Sequence, residues 1–145
     1  MQVRELMNKS VVAITPEESA ALAARLLSRH DLGSLPVCAQ NGALLGIVTD
    51  RDIVTRCVAA GEDPSRVPVQ DIMSRAPVTI APGDDVRDAA RQMAAGQIRR
   101  LPVVEDGAVV GMVSLGDLAR CHVCDMEAGR ALSEISDHVK RIWED

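Results

Sequence analysis

At 145 residues, 47% hydrophobic and 26% charged, the chain is long enough to fold alone, as one compact domain or two half-size units sharing a core, and its composition excludes a disordered or fibrous protein. A net charge of −5 argues against nucleic acid and anionic membrane as partners, and with no Phe or Tyr and one Trp, Trp143, base stacking on aromatic rings is almost unavailable. No apolar run approaches the ~20 residues that cross a bilayer and the Met1-Gln2-Val3-Arg4-Glu5 start lacks a signal peptide's apolar stretch, so the expected location is the cytoplasm, with the cysteines as thiols.

In chain order, a short β run from Val11 to Thr15 ends at Pro16, and Ala20, Ala23, Ala24 and Leu27 then recur at helical spacing. Ser34 to Cys38 and Leu44 to Val48 read as two strands joined at Asn41-Gly42, the strongest short hairpin signal, and a helix follows from Asp50 to about Ala60. After a polar stretch, Gly61 to Pro68, the order returns. Val78 to Ile80 leads to Pro82, and a helical stripe follows at Val86, Ala89, Ala90 and Met93. Strands Arg100 to Val104 and Val109 to Val113 flank Asp106-Gly107, and a helix runs from Leu115 to about Cys124.

This is a duplication. Leu6-Met7, Val12-Ala13-Ile14-Thr15-Pro16 and Leu35-Pro36-Val37 recur 66 residues later as Ile72-Met73, Val78-Thr79-Ile80-Ala81-Pro82 and Leu101-Pro102-Val103. Gly46-Ile47-Val48-Thr49 and Asp52 recur 65 residues later, as Gly111-Met112-Val113-Ser114 and Asp117, so one residue is lost in the hairpin turn. The expected class is α/β, with a β-α-β-β-α repeat over 1–61, a linker over 62–68 and a second repeat over 69–126. The last segment, 127–145, reads as an amphipathic helix whose seam of Leu132, Ile135, Val139 and Ile142 must pack on something.

Thr49-Asp50-Arg51-Asp52 and Ser114-Leu115-Gly116-Asp117 place a hydroxyl and a carboxylate three residues apart where a strand meets a helix. One reading is a capping box, in which each group satisfies a free backbone N–H. The other is a ligand site, the hydroxyl and helix start suiting phosphate and the aspartate accepting bonds from a ribose. Two occurrences after Gly-apolar-apolar shift the balance toward function.

The order Leu-Met, Val-x-Ile-x-Pro, Leu-Pro-Val, Gly-Ile-Val-Thr-x-x-Asp resembles the CBS domain, twice over, across residues 3 to 124. That resemblance implies a pseudo-twofold pair, of the small standalone bacterial type, binding adenosine-containing ligands (AMP, ADP, ATP, NAD(H) or S-adenosylmethionine) in clefts between the repeats. It implies phosphate contact for Thr49 and Ser114 and ribose contact for Asp52 and Asp117. The base is expected near Ile14, Thr15, Pro16 and Ile47, or near Ile80, Ala81, Pro82 and Met112, positions that also suit core strands. Ahead of Leu-Pro-Val the second copy has Arg99-Arg100, candidates for phosphate or for a solvated strand end, where the first has Gly33-Ser34, so unequal sites are expected. Association into a homodimer is a further implication.

Cys121, His122 and Cys124, with His138, invite a zinc reading, but two cysteines three apart supply only half a tetrahedron, and small packing residues explain them as well. No nucleophile-base pair stands in a recognisable frame, so the expected role is sensing an adenosine nucleotide on behalf of an unidentified partner, without catalysis and with no cofactor required. The alternatives are a stress-linked dimeric scaffold that binds no nucleotide and a thiol or zinc sensor.

Overall fold

A computed structural model describes residues 1–121 and 125–136, which divide into two compact units. The N-proximal unit comprises Ser10–Pro77 with Val104–Val109, and the C-proximal unit comprises Met1–Lys9, Val78–Val103 and the described residues from Val110 onward. Both are mixed α/β, as the duplicated sequence predicts.

In the N-proximal unit, α1 (Ala20–His30) precedes β1 (Ser34–Cys38), β2 (Leu44–Thr49) and α2 (Asp50–Ile53), which runs on into a π-helical turn, Val54–Val58. A 3-10 turn at Val69–Asp71 leads to the short β3 (Ser74–Arg75), and the strands form an antiparallel sheet in the order β1-β2-β3. The C-proximal unit has a 3-10 turn at Val3–Glu5, α3 (Val86–Gly96), β4 (Arg100–Glu105) paired with β5 (Ala108–Ser114), α4 (Leu115–Ala119) and α5 (Asp125–Ser136). The tip of the β4–β5 hairpin belongs to the N-proximal unit, where Ala108 bridges Ala43.

Local chemistry sets the element ends. The Ser19 hydroxyl accepts from the Leu22 N–H at the start of α1, and the Asp85 carboxylate accepts from the Arg87 N–H at the start of α3. The leading β run of each copy is present as a single parallel bridge, Ile14 to Val37 and Ile80 to Val103. Prolines are the reason. A next rung at Val12 would need an N–H from Pro36, and one at Pro16 would need its own N–H; Pro102 and Pro82 impose the same limits on the second copy. The hairpins differ by the residue lost between the copies. Asp106 and Gly107 (φ 52° and 80°) make a two-residue turn with both residues left-handed. The longer first hairpin accepts the Ala43 N–H on the Asn41 side chain and shifts register between Val37 and Cys38.

Each unit has its own core. Ile14, Leu27, Leu35, Val37 and Val48 pack with Val69, Ile72 and Met73 in one, and Ile80, Met93, Leu101, Val103 and Leu118 pack with Val3 in the other. Val3 and Val69 are repeat equivalents, and both are 0% exposed. The segment that leads each copy thus completes the core around the other copy's helix and strands. Equivalent bonds hold it in place. Val69 N–H donates to Glu18 O (2.8 Å), Gln70 N–H to Pro16 O (3.1 Å), and Ala20 N–H to Val67 O (2.8 Å). Their counterparts run from Val3 to Asp84 (2.8 Å), Arg4 to Pro82 (2.9 Å) and Val86 to Met1 (3.0 Å).

The second helix of the second copy ends at Ala119, short of Cys124, which lies outside the described residues. α5 packs on α3 and α4, burying Ala131 completely and Ile135 partly, while Leu132 is 49% exposed. Leu132 therefore does not join the buried seam as its spacing suggests; Val139 and Ile142 lie outside the described residues. Among the described residues no helix is long and apolar enough to cross a membrane.

Candidate functional site

Both hydroxyl-carboxylate pairs sit where a strand turns into a helix, and both are capping boxes. Thr49 Oγ1 accepts from the Asp52 N–H (3.0 Å) and Asp52 Oδ2 accepts from the Thr49 N–H (3.0 Å). Ser114 Oγ accepts from the Asp117 N–H (3.1 Å) and Asp117 Oδ2 from the Ser114 N–H (2.9 Å). The reciprocal bonds satisfy two otherwise orphaned donors at each helix start and hold both side chains in one rotamer. Capping uses one carboxylate oxygen and leaves Oδ1 of each aspartate to other donors. Asp52, 8% exposed, is the one charged residue buried among those described.

The residues ahead of Leu-Pro-Val lie beside these pairs. In the N-proximal unit Ser34 is opposite Thr49 in the β1–β2 register, and Gly33 O accepts from the Asp50 N–H (3.2 Å). In the C-proximal unit Arg99 O accepts from the Leu115 N–H (2.8 Å), which brings Arg99 and Arg100 alongside Ser114. Neither guanidinium has an ion-pair or hydrogen-bond partner among the described residues, whereas Arg56, Arg91 and Arg120 are each paired with an aspartate.

Of the residues expected near a base, Ile14 and Ile80 are buried at their bridges. Pro16 and Pro82 are buried too, and their carbonyls hold the segments that lead the copies. Ile47, opposite Pro36 and Ser74, and Met112, bridged to Asn8, are half-buried, while Ala81 is exposed and donates its N–H to the Asp84 carboxylate. Ile14 and Thr15 also line an open groove of about 340 Å³ in the N-proximal unit, with Val11, Cys38, Gln40 and Val109 among the other lining residues. No lining side chain is charged, and burial pushes the Cys38 thiol up, so the wall stays neutral at neutral pH. Cys38, Gln40 and Val109 carry no motif that marks them. Cys38 reaches the groove because its N–H donates to Ile14 O (2.9 Å), a consequence of strand register.

Among the described residues no group of three or more His, Cys, Asp or Glu side chains could hold a metal ion. Cys121 is buried with its sulfur 3.5 Å from that of Met1, and the other members of the zinc reading, His122, Cys124 and His138, lie outside the described residues.

The family model for the CBS domain matches residues 3–59 and 69–123. The chain is 41% identical over 134 residues to the CBS domain-containing protein YhcV of Bacillus subtilis, covering 92% of this chain and 94% of that one. It is also similar to the crystal structure of Hypoxic Response Protein I with two coordinated zinc ions (31% identity, TM-score 0.78, 83% of this chain and 98% of that one). The CBS domain protein PAE2072 from Pyrobaculum aerophilum, complexed with AMP, is 26% identical with a TM-score of 0.79, covering 89% of this chain and 98% of that one.

Proposed function

Because this chain belongs to the CBS-domain family, we propose that it is a regulatory module that binds an adenosine-containing nucleotide, AMP foremost, and signals occupancy to a partner protein without bond chemistry. The observation that carries the reading is the pair of capped junctions, each holding a carboxylate in a fixed rotamer with its Oδ1 outside the cap, and one of them flanked by two unpaired arginines. Ser114 and Thr49 suit phosphate, Asp52 and Asp117 suit the paired hydroxyls of a ribose, and the uncharged groove beside Ile14 and Thr15 suits a base. The similar AMP-bound structure supports that ligand class.

Calorimetric titration tests this. Arg99→Ala and Arg100→Ala are each expected to weaken AMP binding roughly tenfold or more, since a charge-assisted bond contributes about 1.5–3 kcal/mol. Uncharged adenosine should bind these variants as it binds the parent protein. Equal losses for AMP and adenosine would mean that the arginines shape the pocket without touching phosphate. A parent protein that takes up no ligand from a panel of AMP, ADP, ATP, NAD(H) and S-adenosylmethionine would end the nucleotide reading and leave the scaffold alternative.

Association into a homodimer belongs to the same proposal. Val54 and Val58, each 57% exposed and four residues apart after α2, form an apolar stripe that a second copy could cover. Sedimentation at micromolar concentration should give about twice the 15.5 kDa chain mass. A monomer there would remove the idea.

A further inference from the structure

The carboxylates assigned to ribose in the two units are not equivalent. Asp117 Oδ2 is held by the Ser114 N–H, and its Oδ1 lies 2.5 Å from Arg120 Nη2, so both oxygens already carry a close donor. Asp52 Oδ2 is held in the same way by the Thr49 N–H, but its Oδ1 stands 3.9 Å from Arg56 Nε, beyond hydrogen-bond reach. Arg56 thus keeps only a long ion pair to Asp52 and spends its hydrogen bonds elsewhere, its Nη1 donating to the carbonyls of Ile72 (3.2 Å) and Met73 (3.4 Å). Where the C-proximal unit has Arg120, the repeat register gives the N-proximal unit Thr55. That hydroxyl donates to Arg51 O (2.8 Å) within its own helix and leaves Asp52 alone.

Resting on the nucleotide reading, we infer that Arg120 is a specificity-determining latch on Asp117. It occupies the oxygen that a ribose needs until an anionic group on the ligand draws it away. The C-proximal unit then selects phosphorylated adenosine ligands, whereas Asp52 in the N-proximal unit accepts a ribose with or without phosphate. A ribose hydroxyl and a guanidinium are both donors and compete for Asp117 Oδ1. The Arg120 side chain is 74% exposed, and an ion pair so solvated is worth no more than about fivefold in an equilibrium constant, so the latch opens readily. What opens it is phosphate, whose oxygens take two parallel N–H bonds from a guanidinium and so replace the lost partner. Adenosine must break the same pair and offers the arginine nothing in return.

The full chain and its Arg120→Ala variant would be titrated with AMP and with adenosine, following the backbone amide signals of Gly111 and Gly116 by NMR to report on the C-proximal unit and using calorimetry for affinity. Loss of the latch should tighten adenosine binding about two- to fivefold there and weaken AMP binding about tenfold, a change of opposite sign for the two ligands. Changes of the same sign, or no change in either, would overturn the latch while the nucleotide reading stands on the parent protein's binding of AMP. If the parent protein binds neither compound, both are overturned.

Discussion

Replacing Gly46 by alanine is expected to lower the unfolding free energy by about 2–3 kcal/mol, the upper range for overpacking. Gly46 lies within β2, opposite Val37 on one side and Arg75 on the other. A Cβ there would stand 2.6 Å from Ser74 O and 2.8 Å from Met73 Sδ. The sulfur ends a flexible chain and can move, but the carbonyl belongs to β3, which is paired with β2 and cannot retreat without breaking the ladder. Gly111, its repeat equivalent, supplies the control. A Cβ at Gly111 would meet Met7 Sδ at 2.7 Å and Asn8 O only at 3.1 Å, so the methionine can take up most of the strain, and Gly111→Ala should cost about 1 kcal/mol. Urea denaturation of both variants gives the comparison. Equal losses would show that the Ser74 carbonyl does not decide the outcome.

Asp52 is expected to separate its two roles when replaced in two ways. In Asp52→Ala the Thr49 N–H loses its acceptor at a site only 8% exposed, which should cost about 1 kcal/mol in stability. Adenosine affinity in the N-proximal unit should fall at least tenfold, because an alanine accepts no hydroxyl. Asp52→Asn keeps one oxygen for the cap and should return most of the stability. It offers a ribose an amide N–H₂ where the carboxylate offered a second acceptor, so binding should stay weak. Thermal melts and calorimetry on the same samples resolve the two effects. An Asn variant that binds like the parent protein would reduce Asp52 to a helix cap.

That pair of outcomes also locates the limit of what the sequence discloses. Thr-x-x-Asp and Ser-x-x-Asp state where strand becomes helix and which atoms meet, and all four residues meet as their spacing predicts. Spacing along one chain does not state what approaches the remaining oxygen. Arg120 and Arg56 follow their aspartates by three and four residues, a difference invisible in composition, yet one closes on its carboxylate and the other turns to main-chain carbonyls. The helical stripes are legible because a 3.6-residue period survives any tertiary arrangement; Ala20, Ala23, Leu27, Val86, Ala89, Ala90 and Met93 are buried and Ala24 is half-buried. Apolar alternation overstates the leading strands because it ignores the missing N–H groups of Pro16 and Pro36. The groove residues Cys38 and Gln40 depend on register and loop length, which no local pattern encodes.

The repeat offset equates Val3 with Val69 but is silent about which core each enters, and the exchange matters when the chain is made from one end. A ribosome delivers the bulk of the N-proximal unit as one continuous stretch, Ser10–Pro77, including Val69, Ile72 and Met73 for its core. The C-proximal unit has no such continuity. Val3 precedes that whole stretch, while Ile80, Met93, Leu101, Leu118 and Ala131, which share its core, follow it. During synthesis the segment around Val3 is therefore made before the core that it completes. Closing the C-proximal core on Val3 therefore means closing a loop as long as the other unit's continuous stretch, and that costs more chain entropy than bringing Val69 to its own core.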